Sequence, residues 1–180
     1  MDFTHLNDEL LPAVMKALKL INNPEVEPEV RQLNQEILLR EVGQAIYDRA
    51  YDMAAFDFEI EHTTGAGIDD RHFGLAKVAA GSVATGTLGL GLLVRNYMNR
   101  MATAAQEEAL QNARQSGRQT RMVRALVGDT CAWCISLVGV YNNPGPEAFL
   151  RHRGCDCTIT TEGFRSRNGL LQNYVKPQDR

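Results

Sequence analysis

Every cysteine of the chain falls between residues 131 and 157, in the run CAWCISLVGVYNNPGPEAFLRHRGCDC. Cys131 and Cys134 form a C-x-x-C knuckle, Cys155 and Cys157 a C-x-C pair, and His152 stands three residues before Cys155. A tight turn presents both thiolates of a C-x-x-C to one ion, and a second pair arriving from elsewhere in the chain completes a tetrahedron. The chemistry this spacing suits first is a closed zinc staple. Disulfides, a redox dithiol and ordinary buried thiols are the competing uses of the same residues.

A redox C-x-x-C sits at the start of a helix that follows a strand, where the helix terminus lowers the thiol pKa. No β-α-β pattern precedes Cys131, and such a motif has no use for a second cysteine cluster. The opening residues, MDFTHLNDELLPAV, carry neither the basic nor the apolar region of a secretion signal, so an oxidised scaffold is not expected. The preferred ligand set is Cys131, Cys134, His152 and one of Cys155 or Cys157, because both sulfurs of a C-x-C reach one ion only if the backbone turns sharply. An all-cysteine site with His152 outside the ligand shell is the alternative. In either, the thiolates outweigh the dication, and Arg151 and Arg153 flank the site to offset the excess. A catalytic zinc keeps a coordination position for water and a general base nearby. Here protein ligands are plentiful and no H-x-E or H-E-x-x-H pattern is present, although Glu147 and Glu162 are near in sequence. The expectation is a structural Zn2+ and no catalytic residue.

Taken in order, these residues resemble the C-terminal module of the phage Mu F-type head-morphogenesis proteins, a family of minor head proteins. Members read C-x-x-C-x-x-L-x-G, then a strand, then H-x-x-C-x-C and a short β-rich stretch. Within GDTCAWCISLVGVY and RHRGCDCTITTE, the residues Cys131, Cys134, Leu137, Gly139, His152, Cys155 and Cys157 fall on those positions. Arg153 stands where many members have proline, and Asp156 where they have an arginine inside the C-x-C. The ligand set is intact, but a contact made through that arginine is not carried over. The resemblance covers about residues 117–163. It implies a minor capsid protein of the virion, assembled in the host cytoplasm into the phage head and associated with the portal or the major capsid protein in an oligomeric assembly.

The elements that must position this cluster read as mainly α: a helical N-terminal arm followed by a small C-terminal α+β module. Asn7 or Asp8 can cap a first helix running to about Leu20, stopped by Asn22-Asn23-Pro24. Glu27-Pro28-Glu29 opens a longer helix, with an acid in its first turn where the dipole favours it. Its apolar stripe is Val30, Leu33, Ile37, Leu38, Val42, Ile46, Ala50 and Met53. Such a stripe is ordinarily core; as a function, Val30, Leu33, Ile37, Val42 and Ile46 are candidates for docking a partner. TTGAGIDD at 63–70 is a joint. VAAGSVATGTLGLGLLV, residues 78–94, is uncharged but weakly apolar, which suits a packed helix or hinge better than stable membrane insertion. An alanine-rich helix follows from Leu92 to about Ser116. TRMVRALVG is a strand or a last helical turn, Asn142-Asn143-Pro144-Gly145-Pro146 is a loop, and Asp156–Thr161 is strand-like. The expected divisions are a helical arm at 1–62, a joint and helix at 63–116, the zinc-knuckle module at 117–163 and a polar tail at 164–180.

The formal charge of −3 hides an asymmetry: residues 1–90 carry fifteen acids and seven bases, residues 91–180 seven acids and twelve bases. Arg118, Arg121, Arg124, Arg151 and Arg153 are the candidates for a DNA-facing surface, where neutralised phosphates give attraction without sequence preference. A virion structural protein is thus the leading reading. A small zinc-dependent enzyme or toxin domain acting on nucleic acid, or an unrelated zinc-stapled interaction module, are the alternatives.

Overall fold

A computed structural model describes residues 3–60, 90–125, 132–151 and 157–162. The helix α1 spans Phe3–Ile21 and α2 spans Pro28–Asp57. The joint at 63–70 and most of the run at 78–94 lie outside the described residues; the end of that run begins α3, Leu90–Gln115. The strand β1 (Arg121–Ala125), the short helix α4 (Ala132–Leu137), β2 (Gly139–Asn142), a 3-10 turn at Pro146–Phe149 and β3 (Thr158–Glu162) complete the order. The chain is mainly helical with a small α+β C-terminal part, as expected. No described helix is long and apolar enough to cross a membrane.

The turn signals act as their chemistry dictates. The Asn23 side-chain oxygen accepts from the Glu25 amide at 3.0 Å, and Pro28 takes the first turn of α2. Gly117, at φ +75°, closes α3, with the Arg118 amide reaching back to the Ala113 carbonyl at 2.9 Å. One expectation fails here: Asn7 and Asp8 lie inside α1 rather than capping it, and Pro12 is interior to that helix.

The phase of α2 also differs from the expected stripe. Its buried face is Gln35, Leu39, Gly43, Ile46, Tyr47, Ala50, Tyr51 and Ala54. Ile46 is therefore core, Val42 packs at its edge, and Val30, Leu33 and Ile37 stay exposed. The reason is the partner: α2 packs along α3, whose Ala102, Ala105, Ala109 and Ala113 are buried, and small residues on both helices let the backbones close. Tyr47 donates to the Glu108 carboxylate and Tyr51 accepts from the Asn112 amide at 2.8 Å. Both pairs are sixty-one residues apart, so α2 and α3 run parallel. Burial, and then the Glu108 carboxylate it bonds, push the Tyr47 phenol upward.

The sheet has the order β2-β1-β3 with both pairings antiparallel: Met122 faces Tyr141 on one side and Thr161 on the other. Met122, Tyr141, Ile159, Ala148 and Phe149 join the same core as the helices. The division expected at 116/117 is thus not a break in packing, and residues 3–60 are not a free arm.

The tightest point of the seam is Gly43. A Cβ there would stand 2.8 Å from Cζ of Tyr97 and nearer still to its hydroxyl. Tyr97 is itself buried, and burial pushes its phenol up to about 12 despite the Arg40 charge. Gly43→Ala should cost about 1–3 kcal/mol through overpacking. Chemical denaturation checks it, and the loss should shrink in a Tyr97→Phe background, where the clashing oxygen is gone.

Candidate metal centre

The central strand β1 ends at Ala125, which pairs with Thr158 of β3, while Arg124 pairs with Gly139 of β2. Cys157 immediately precedes β3, and α4, carrying Cys134, joins β1 to β2 across that same end of the sheet. Antiparallel pairing therefore brings the second cysteine of the C-x-x-C to the second cysteine of the C-x-C. Cys134 and Cys157 are 3% and 2% exposed and pack against each other in a cluster apart from the main core. Neither is in a disulfide. Two thiols drawn from the two limbs of the sequence cluster are the donor type that a soft, tetrahedral metal site uses. Cys131, His152 and Cys155 lie outside the described residues, and among those described no group of three or more His, Cys, Asp or Glu side chains could hold an ion.

Arg151 and Ile159, on either side of residues 152–156 in the sequence, are both tied to one helix. The Arg151 Nε donates to the Thr103 hydroxyl at 2.7 Å, and the Gln106 amide donates to the Ile159 carbonyl at 2.9 Å. Thr103 and Gln106, three apart, share a face of α3, and both are buried. A third tie comes from β1. Fully buried Arg124 donates through Nη1 to the carbonyls of Ala148 at 3.0 Å and Leu150 at 2.7 Å, and its guanidinium lies 5.7 Å from the ring centroid of Trp133.

The candidate DNA-facing arginines do not form one surface. Arg124 is a correction: a guanidinium with no exposed area cannot meet a phosphate backbone. Side chains alternate along a strand, so Arg121 and Arg124, three apart, point to opposite faces of β1. Arg118 is exposed and leans on Glu59, its Nη2 donating to the Glu59 carbonyl at 3.3 Å. Arg151 is half-buried against Thr103, and Arg153 lies outside the described residues. The docking candidates separate as well, with Ile46 and Val42 turned to the core and Val30, Leu33 and Ile37 outward.

Sequence spacing does not mark Thr103, Gln106 or Trp133 as participants, since one polar residue on an alanine-rich helix reads as solvated surface. The one available signal is in TRMVRAL, where Met122 and Arg124, two apart on a strand, must share a face. No family model matches the chain, and neither a curated protein nor a solved structure matches it.

The tie to β3 can be broken alone. Gln106→Met keeps the length but leaves the buried Ile159 carbonyl without its donor, a cost of about 1–3 kcal/mol. Equilibrium denaturation reads this directly, and a loss below about 0.5 kcal/mol would mean that water replaces the amide.

Proposed function

We propose that the chain is a structural component of a phage head, a minor capsid protein with a structural zinc that docks on the portal or the major capsid protein. The observation that carries the zinc half of this reading is the packing of Cys134 on Cys157, which joins the two limbs of the C-x-x-C and H-x-x-C-x-C pattern in one buried place. Cys131, Cys134, His152 and Cys157 would hold the ion, with Cys155 or the histidine as the position that varies. Bound there, zinc would supply folding free energy to this end of the sheet.

The docking half rests on α2. Val30, Leu33 and Ile37 are 46%, 56% and 50% exposed and recur at i, i+3 and i+7, a short apolar stripe of the kind that a groove on another protein accepts. Non-specific DNA contact, in this reading, falls to Arg118, Arg121, Arg151 and Arg153, with Arg124 excluded by its burial.

Two measurements test the two halves. The full chain, made without a metal-affinity tag, should carry about one zinc, and Cys134→Ser should lose it together with part of its stability; a well-folded, metal-free sample would sink the zinc reading. Ile37→Asp changes an exposed residue, so the protein should fold with an unchanged helical signal yet disappear from purified particles. Quantitative mass spectrometry of particles from cells expressing wild-type or variant protein decides the second, and equal copy number in both would remove the docking stripe.

A further inference from the structure

We propose that Arg124 is the positioning residue of the metal centre, locking the C-x-x-C knuckle to the backbone that leads into His152. The inference rests on the zinc reading above and concerns a residue outside the ligand set. Its guanidinium meets the knuckle helix on one side and the chain just ahead of the second limb on the other. On one side lies the indole of Trp133, adjacent in sequence to Cys134; on the other are the carbonyls of Ala148 and Leu150, the latter two residues before His152. The knuckle helix and the 148–150 segment are separated along the chain by β2, and this one rigid side chain spans the gap. Because the guanidinium is planar and its donors are fixed, a shift of Trp133 relative to Leu150 must weaken a hydrogen bond or the cation–π approach.

Arginine is a poor choice for stability alone. Taking a charge out of water costs several kcal/mol before its partners return any of it, and well-packed apolar replacements of buried charged groups are often neutral or better. What a guanidinium adds over an apolar side chain is geometry: it fixes direction as well as distance. Groups that hold ligands in place commonly change metal affinity by about 10–100-fold when removed, without touching the ion. Lysine at this position retains a charge and donors to the carbonyls but presents no planar face to the indole.

The test uses the full chain and two independent variants, Arg124→Lys in the core and Trp133→Ala at a partly exposed position that should fold normally. Zinc affinity is read by competition with a chromophoric chelator, and ligand geometry by the visible absorption of the cobalt-substituted protein. Both variants should lose about 10–100-fold in affinity and change the cobalt spectrum, while Trp133→Phe, which restores a ring under the guanidinium, should recover most of the loss. If both variants bind zinc as the wild type does with the same cobalt spectrum, or lose stability equally with and without metal, Arg124 is a packing residue and the proposal falls while the metal centre stands. A wild-type chain that takes up neither zinc nor cobalt overturns the metal centre itself, and the positioning role with it.

Discussion

The parallel approach of α2 and α3 is the constraint on which the rest of the structure depends. Parallel neighbours cannot be joined by a short turn, so the seam must be strong enough to offset the entropy of closing a long connection. Its strength comes from small residues. Gly43, Ala50 and Ala54 on one helix meet a run of alanines on the other, and close backbones gain dispersion contacts along their whole length. The Tyr47–Glu108 and Tyr51–Asn112 bonds then set the register, because sliding either helix by a turn would break both and strand the hydroxyls of two buried tyrosines. Once α3 is fixed, its Thr103 and Gln106 become fixed points as well, and Arg151 and Ile159 are tied to them.

Much of this was legible in the sequence where local chemistry decides. Asn23, Pro28 and Gly117 act on their own neighbours, and the elements they bound fall close to expectation. The phase of α2 was not, because a hydrophobic count follows Val30, Leu33 and Ile37, whereas the helix turns toward its closest-packing face. That face includes Gly43 and two tyrosines, which score as weak or polar, and Gln35, whose buried amide has no hydrogen-bond partner on either atom. A buried unsatisfied amide and three outward aliphatics on the same turns of one helix are both unfavourable in an isolated chain. In the docking reading, a partner covering the aliphatic stripe removes one of those two costs.

The candidate site divides in the same way. The cysteine spacing pointed to a junction of two limbs, and antiparallel pairing is what delivers Cys157 to Cys134; a sequence can suggest that meeting but not the strand register that achieves it. Charge was the misleading signal. Summed over residues 91–180, the excess of arginine suggests one basic surface, but a sum carries no direction. Arg118 binds Glu59, Arg151 binds α3 and Arg124 is interior, so these arginines are tied to specific partners before any polyanion arrives.

These ties bear on how a metal would bind. An ion that must gather its ligands from a loose chain loses much of its binding free energy to ordering them, and affinity then falls with every residue left free. In this chain Arg124 ties β1 to the Ala148 and Leu150 carbonyls and lies beside Trp133, Thr103 holds Arg151, and Cys157 leads into the β1–β3 ladder, where Gln106 holds Ile159. Each brace belongs to an element whose position is set by the helical seam. The positions of Cys134 and Cys157 are therefore tied, through β3 and α3, to packing far along the chain.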